Sequence, residues 1–163
     1  MVKITLKPES DLVPQVREVL AQVAGRIHSL LPEAEVVHIG ATSIPGSLTK
    51  GDIDIMVRVL PSEFPGAVRE LQTAFPVNQP QNWNDNFASF GDDTSYKLPL
   101  GVQLVAKDSE SDFFLYLRDH FIRHPEALEA YNQLKKNHAD NGPEAYRSAK
   151  HIFLSDILAA RPK

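Results

Sequence analysis

The sequence predicts an α+β chain with α/β-like character: a mixed sheet with helices packed on it and a helical C-terminal part over about 111–160. The first observation behind this is order. Hydrophobic periodicity reads as a helix, a strand hairpin, a helix, more strands and then three helices, which argues for a sheet covered by helices. The second is the stretch from His38 to Val59, which reads as strand, Gly/Ser/Thr-rich loop and second strand, with Asp52 and Asp54 spaced two apart at its turn. The third is size: 163 residues suit a single domain over 1–163 with a real core and are too few for two comfortable ones.

Met1 to Leu6 alternates like a short strand, without the continuous apolar core of a signal peptide. Glu9 to Leu31 reads as an amphipathic helix: Ser10 or Asp11 caps it, Pro14 fits its first turn, Pro32 ends it, and Val16, Val19, Leu20, Val23, Ile27 and Leu30 form its apolar stripe. Glu35 to Ile39 is a strand, Gly40 to Gly51 a loop, and Asp52 to Val59 a second strand. Ser62 to Phe75 is helical, bounded by Pro76, and the polar, proline-containing stretch from Val77 to Asn86 is a loop. Phe87 to Phe90, Ser95 to Leu98 and Val102 to Ala106 are strand candidates. Helices follow over Ser111 to Arg123, Pro125 to Ala139 and Pro143 to Ala160; the two prolines suit first-turn positions, and Asn141-Gly142 is a helix stop.

Composition narrows the partners. Hydrophobic residues make up 42% and charged residues 23%, an ordinary globular balance, and no apolar run approaches the roughly 18 residues of a membrane-spanning helix. A cytoplasmic location with no membrane partner is the default expectation. The absence of cysteine excludes disulfides and thiolate metal sites. A formal net charge of −4 disfavours long nucleic acid as a partner and leaves a local basic patch open. Basic residues gather late, at Arg118, Arg123, Lys135, Lys136, Arg147 and Lys150, where solvated helix faces are the plain reading.

The chemistry concentrates in the hairpin. Strand alternation puts Asp52 and Asp54 on one face with α-carbons about 6.5–7 Å apart, while Ile53 and Ile55 pack into the core behind them. Two carboxylates on one face repel unless a cation sits between them, and Mg²⁺ is held by one or two carboxylates plus substrate phosphates. Upstream, Gly40 lets the backbone approach a phosphate, Thr42, Ser43 and Ser47 add hydroxyls, and Lys50 adds a cation beside the acidic pair. Asp-x-Asp alone is common at strand ends; it is the conjunction with the loop and the apolar strand that carries meaning.

The remaining candidates have plainer alternatives. His38, at the end of a buried strand, reads as a satisfied or supporting histidine rather than a metal ligand. His120 and His124 have the i, i+4 spacing of a zinc pair but lack a third ligand. Trp83 and Phe87 could stack on a base, cover the pocket or simply pack. Lys135, Arg147 and Lys150 could reach phosphates or be solvated, and Tyr131, Tyr146 and Phe153 read as interhelical packing.

On these residues the chain resembles the nucleotidyltransferase superfamily and, more narrowly, the GrpB family, at His38, Ile39, Gly40, Thr42, Pro45, Gly46, Lys50, Ile53, Asp54 and Ile55. The likeness continues through Leu117-Arg118-Asp119, His124-Pro125, Tyr131, Leu134, Lys135, Ala145-Tyr146, Ala149-Lys150 and Phe153, and is weakest from Leu60 to Leu100. Three departures matter. Ala41 replaces a usual serine, keeping only its backbone N–H; Asp52 stands where many members are apolar; Gln103 stands where many carry the second histidine of His-x-His. Superfamily enzymes usually take a third carboxylate from such a strand, and Gln103 offers a carbonyl ligand but no general base. Asp92, Asp93 and Asp108 are substitutes by composition only.

The resemblance implies Mg²⁺- or Mn²⁺-dependent transfer of a nucleoside monophosphate from a nucleoside triphosphate to a small-molecule or protein acceptor. Asp52 and Asp54 would be catalytic and metal-binding with Gln103 as a further ligand. Gly40, Ala41, Thr42 and Ser43 would hold phosphates and Lys50 would offset their charge. The alternative is a nucleotide-binding or accessory domain without turnover.

Overall fold

The computed structural model describes residues 3–162. Lys7–Pro8 (β1) enters a 3₁₀ turn at Glu9–Leu12 and then helix α1, Val13–Leu30. β2 (Glu35–Ile39), β3 (Leu48–Thr49) and β4 (Ile53–Val59) follow, then α2 (Phe64–Gln72), β5 (Phe87–Asp92) and β6 (Leu100–Ala106). Helices α3 (Phe114–Arg123), α4 (Pro125–His138) and α5 (Pro143–Ala159) complete the order. Among the described residues no helix is long and apolar enough to cross a membrane.

The main sheet has the order β2-β4-β6-β5. β4 runs antiparallel to β2 and parallel to β6, and β5 returns antiparallel along β6, so the sheet is mixed. The period-2 pattern of β4 decides the layers. Ile53, Ile55, Val57 and Val59 join Val16, Val19, Val23 and Ile27 of α1 and Ala67 and Leu71 of α2 in the largest core. Full burial of each large aliphatic side chain contributes about 1.5–3 kcal/mol. Asp54, Met56 and Arg58 lie at the alternate positions, where Ile39, Met56 and Val105 pack against Phe114 and Leu115 of α3. Helices α3–α5 add a cluster of their own: Phe121, Tyr131 and Phe153 stack in series, and Ile44 of the hairpin loop packs among them.

That loop is held from both sides. The Gly46 amide donates to Glu9 at 3.1 Å, while Asn132 of α4 accepts from the Leu48 amide and donates to the Gly46 carbonyl, each at 3.0 Å. Lys135, 1% exposed, donates to Ser47 Oγ at 3.2 Å and to the Leu48 carbonyl.

The helix and hairpin expectations hold to within a few residues, with five differences. Of the expected strand from Met1 to Leu6, residues 1 and 2 lie outside the described residues, and the ladder occupies Lys7–Pro8 against Leu48–Thr49. Neither Ser10 nor Asp11 caps α1; a 3₁₀ turn precedes it instead. β4 starts at Ile53 rather than Asp52, because β2 ends opposite Asp54 and β6 begins opposite Ile53, so Asp52 has no ladder partner. Ser95 to Leu98 is not a strand: the Asp92 carboxylate accepts from the Thr94 and Ser95 amides at 3.1 and 2.9 Å and turns the chain. The stretch from Val77 to Asn86 contains a 3₁₀ turn and bridges to β5, and Trp83 packs on Phe90 with ring centroids 5.3 Å apart.

At the far end of β4, Arg58 ties the start of α3 to the sheet, donating to Asp112 at 2.6 Å and to Glu35 at 2.7 Å. The Asp112 side chain is 6% exposed and that of Arg58 15%. Asp112→Ala leaves this guanidinium only the solvent-exposed Glu35 and Asp108 and is expected to lower unfolding stability by roughly 1–3 kcal/mol. Urea denaturation of the two proteins checks it.

Candidate functional site

The register of three strands sets the site's centre. Asp54 is opposite Ile39 on β2 and opposite Gly101 on β6. Its carboxylate fills the space that two missing side chains leave. A Cβ on Gly40 would stand 2.6 Å from Asp54 Oδ2, and one on Gly101 would stand 2.6 Å from Oδ1. Gly40 also has φ +75°, a conformation that L side chains rarely adopt. Glycine inside a strand marks such close approach, the signal that would have found Gly101 in the sequence.

The two aspartates are bare. Among the described residues, no donor hydrogen-bonds or ion-pairs with the Asp52 or Asp54 side chain, and both residues keep some exposure, toward the cavity that they line. Burial first, and then the neighbouring Asp52, push the Asp54 carboxyl up from 3.8 to about 7; Lys150 and Lys50 pull the other way.

A cavity of about 370 Å³ opens from this pair toward α3–α5. Gly40, Ala41, Lys50, Asp52, Asp54 and Gln103 all line it, so the structure gathers these six expected residues around one space. Thr42 and Ser43 are not among the lining residues. The Thr42 hydroxyl is 2.9 Å from His38 Nε2, and the Ser43 hydroxyl donates to the Gly40 carbonyl at 2.6 Å. Both shape the turn after Gly40. His38 is thus a supporting residue, and burial, with Arg118 close by, lowers its pKa to about 4 and keeps the ring neutral.

The helical wall supplies groups that sequence left undecided. Lys135 and Lys150 line the cavity, as do Arg118, Tyr131 and Tyr146; Arg147 does not, and is exposed. Each lysine lies one turn beyond a tyrosine and over its ring, Lys135 Nζ 4.5 Å from the Tyr131 centroid and Lys150 Nζ 5.2 Å from that of Tyr146. Burial, with Lys150 near, lowers Lys135 to about 7 against the pull of Asp52. Burial and Lys50 lower Lys150, while Asp52 and Asp54 raise it. Burial pushes the Tyr146 hydroxyl up to about 12. Among the described residues Lys50 and Lys150 have no anionic partner within salt-bridge distance.

No three His, Cys, Asp or Glu side chains of the described residues gather as a metal cage. Gln103 is the remaining polar neighbour on β6, its Nε2 3.4 Å from the point where a Gly101 Cβ would be. His120 and His124 lie tilted with ring centroids 4.5 Å apart and, among the described residues, without a third ligand, and Phe87 stacks on Phe114. Trp83 belongs to the core on the opposite face of the sheet. Asp92 serves its turn, Asp108 lies beside Arg58, and Asp93 borders a second hollow described below.

A mixed sheet with a bare aspartate pair at the end of its hairpin defines the class: this is a nucleotidyltransferase-fold chain. It shares that fold with Cid1 poly(U) polymerase in an MgGTP-bound structure, at TM-score 0.52 and 12% identity, over 81% of this chain and 41% of that one. The GrpB protein family model matches residues 5–160, and the chain belongs to that family. A UPF0157 protein of Vibrio cholerae serotype O1 is 35% identical over 132 residues, 81% of this chain and 70% of the relative. The crystal structure of the conserved protein GrpB from Enterococcus faecalis superposes at TM-score 0.68 and 19% identity, covering 94% of this chain and 99% of that one.

Two outcomes follow from the cradle around Asp54. Gly101→Ala is expected to destabilise the wild type and to cost less beside Asp54→Ala, with a coupling of roughly 0.5–3 kcal/mol in a double-mutant cycle. The second concerns pH. Between about 4 and about 7 the folded Asp54 keeps a proton that the unfolded chain releases, so its contribution to stability is lost as pH rises through that window. The melting temperature of Asp54→Asn should therefore gain on that of the wild type from pH 4 to 7 and keep that gain above; a constant difference contradicts the assignment.

Proposed function

We propose that the chain binds a nucleoside triphosphate with Mg²⁺ or Mn²⁺ and transfers its nucleoside monophosphate to a small-molecule or protein acceptor. One observation carries this reading: carboxylates without donors and lysines without anions face one cavity. A cation joined to a polyanion satisfies both sets at once. Asp52 and Asp54, with the Gln103 carbonyl, would hold the cation, and the Gly40–Gly101 cradle leaves the Asp54 oxygens accessible to it. When bound, the cation would neutralise phosphate charge and lower the pKa of an acceptor hydroxyl.

The backbone of Gly40 and Ala41 and the side chains of Lys50 and Lys150 would orient the phosphates, with Lys135 and Asn132 keeping the loop before Lys50 in place. Thr42 and Ser43 act through the turn that they brace. The acceptor oxygen bonds to the α-phosphorus as the bond to the bridging oxygen breaks. Its electron pair leaves with pyrophosphate and the acceptor's proton passes to solvent. Charge developing on the leaving group is met by fixed lysines, so positioning and electrostatics supply the rate enhancement. This reading places the chain in the cytoplasm, where nucleoside triphosphate and Mg²⁺ meet.

A second reading has its own support. Gln103 occupies the strand from which a third carboxylate would come, and a domain that binds nucleotide without turning it over fits that substitution. Incubation with Mg²⁺ or Mn²⁺ and α- or γ-labelled ATP separates the two. Transfer predicts pyrophosphate release that falls about 100-fold in Asp54→Ala. Metal-dependent binding without release selects the second reading, and no rise in melting temperature with metal and nucleotide defeats both.

A further inference from the structure

The carboxylate pair borders a second hollow. It has a volume of about 220 Å³ and shares Asp52, Asp54 and Gln103 with the first. The first cavity takes in Gly40, just beyond β2, and the second takes in Gly91 of β5, strands at opposite edges of the sheet. The pair therefore lies where two spaces adjoin rather than at the closed end of one.

Their chemistry differs. The first is lined by Lys50, Lys135, Lys150 and Arg118, and much of the rest of its wall is apolar. The second has no basic residue among its lining. It offers Asn78, Asp93 and Gln103, and among the described residues no hydrogen bond engages the side-chain amides of Asn78 or Gln103. Asn78 and Asp93 are exposed, so the space opens directly to solvent.

Resting on the proposed nucleotidyl transfer, we propose that this second hollow is the acceptor subsite and that it takes a small polyhydroxylated molecule, preferably one with an amine, rather than an anionic chain. In-line displacement needs the entering and leaving oxygens on opposite sides of the α-phosphorus. The leaving pyrophosphate belongs with the lysines, so the entering hydroxyl comes from the side without them. The hydroxyl oxygen forms the new bond to phosphorus, the α–β bridging bond breaks with its electrons on pyrophosphate, and the hydroxyl proton leaves to the water that fills the open groove. Asp93 attracts an ammonium there, while a phosphate meets that carboxylate and no basic side chain. The Asn78 amide serves neutral hydroxyls as donor and acceptor, and Gln103, its carbonyl on the cation, donates from its Nε2.

Amide chemical-shift titration of the full chain tests this without requiring turnover. With Mg²⁺ and the non-hydrolysable α,β-methylene-ATP present, glucosamine is expected to shift the Asn78, Gly91 and Gly101 amides saturably. Asp93→Asn, an exposed change, should weaken that response roughly two- to fivefold. Glucosamine 6-phosphate and a short RNA with a free 3′ hydroxyl should leave those amides unmoved. Equal shifts with either anion, or none with glucosamine, overturn the acceptor assignment alone, provided that the nucleotide analogue shifts Ala41 and Lys150. If the analogue shifts neither, it is the nucleotide reading itself that has failed.

Discussion

β4 is paired on both sides, antiparallel to β2 and parallel to β6, and that pairing constrains everything at the site. It sends Ile53, Ile55 and Val57 into the core and leaves Asp54 on the other face, opposite Gly101. A one-residue slip would exchange these faces and put a carboxylate among aliphatic side chains. Core packing and site geometry are therefore enforced by one register. The strand that stabilises the molecule also holds its charged centre rigid.

The helical part is built on the same economy of parts. α4 and α5 each repeat a tyrosine followed one turn later by a lysine that lies over its ring. The aromatic body packs between helices while the ammonium stays at the cavity. Tyr131 takes part in the stack with Phe121 and Phe153 and lines the cavity as well, so one ring serves both the helical core and the cavity wall. Lys135 is still more committed, since its hydrogen bonds hold the loop that presents Lys50.

Much of this was legible in residue order. The hairpin, the helix boundaries at Pro125 and Pro143 and the opposed faces of Ile53 and Asp54 follow from periodicity and local turn chemistry, which act over a few residues. What escaped needed distant partners. Asp52 lies outside the ladder because two other strands happen to end there, and Ser95–Leu98 is pulled from extended form by a single Asp92 side chain. Thr42 and Ser43 look like phosphate donors in a linear reading, yet His38 and the Gly40 carbonyl engage them. Gly101, in an apolar strand, discloses its purpose only once the register sets it against Asp54. Lys135 and Lys150 could not be told from solvated lysines until three helices closed over the loop.

The bonds from Lys135 to Ser47 and Leu48 join positions up to 88 residues apart in the chain. During synthesis the aspartate hairpin, with Lys50, thus emerges long before Lys135 and Lys150. Lys135 arrives with α4 and Lys150 with α5, so the last helices complete a basic wall that the hairpin begins with Lys50 alone.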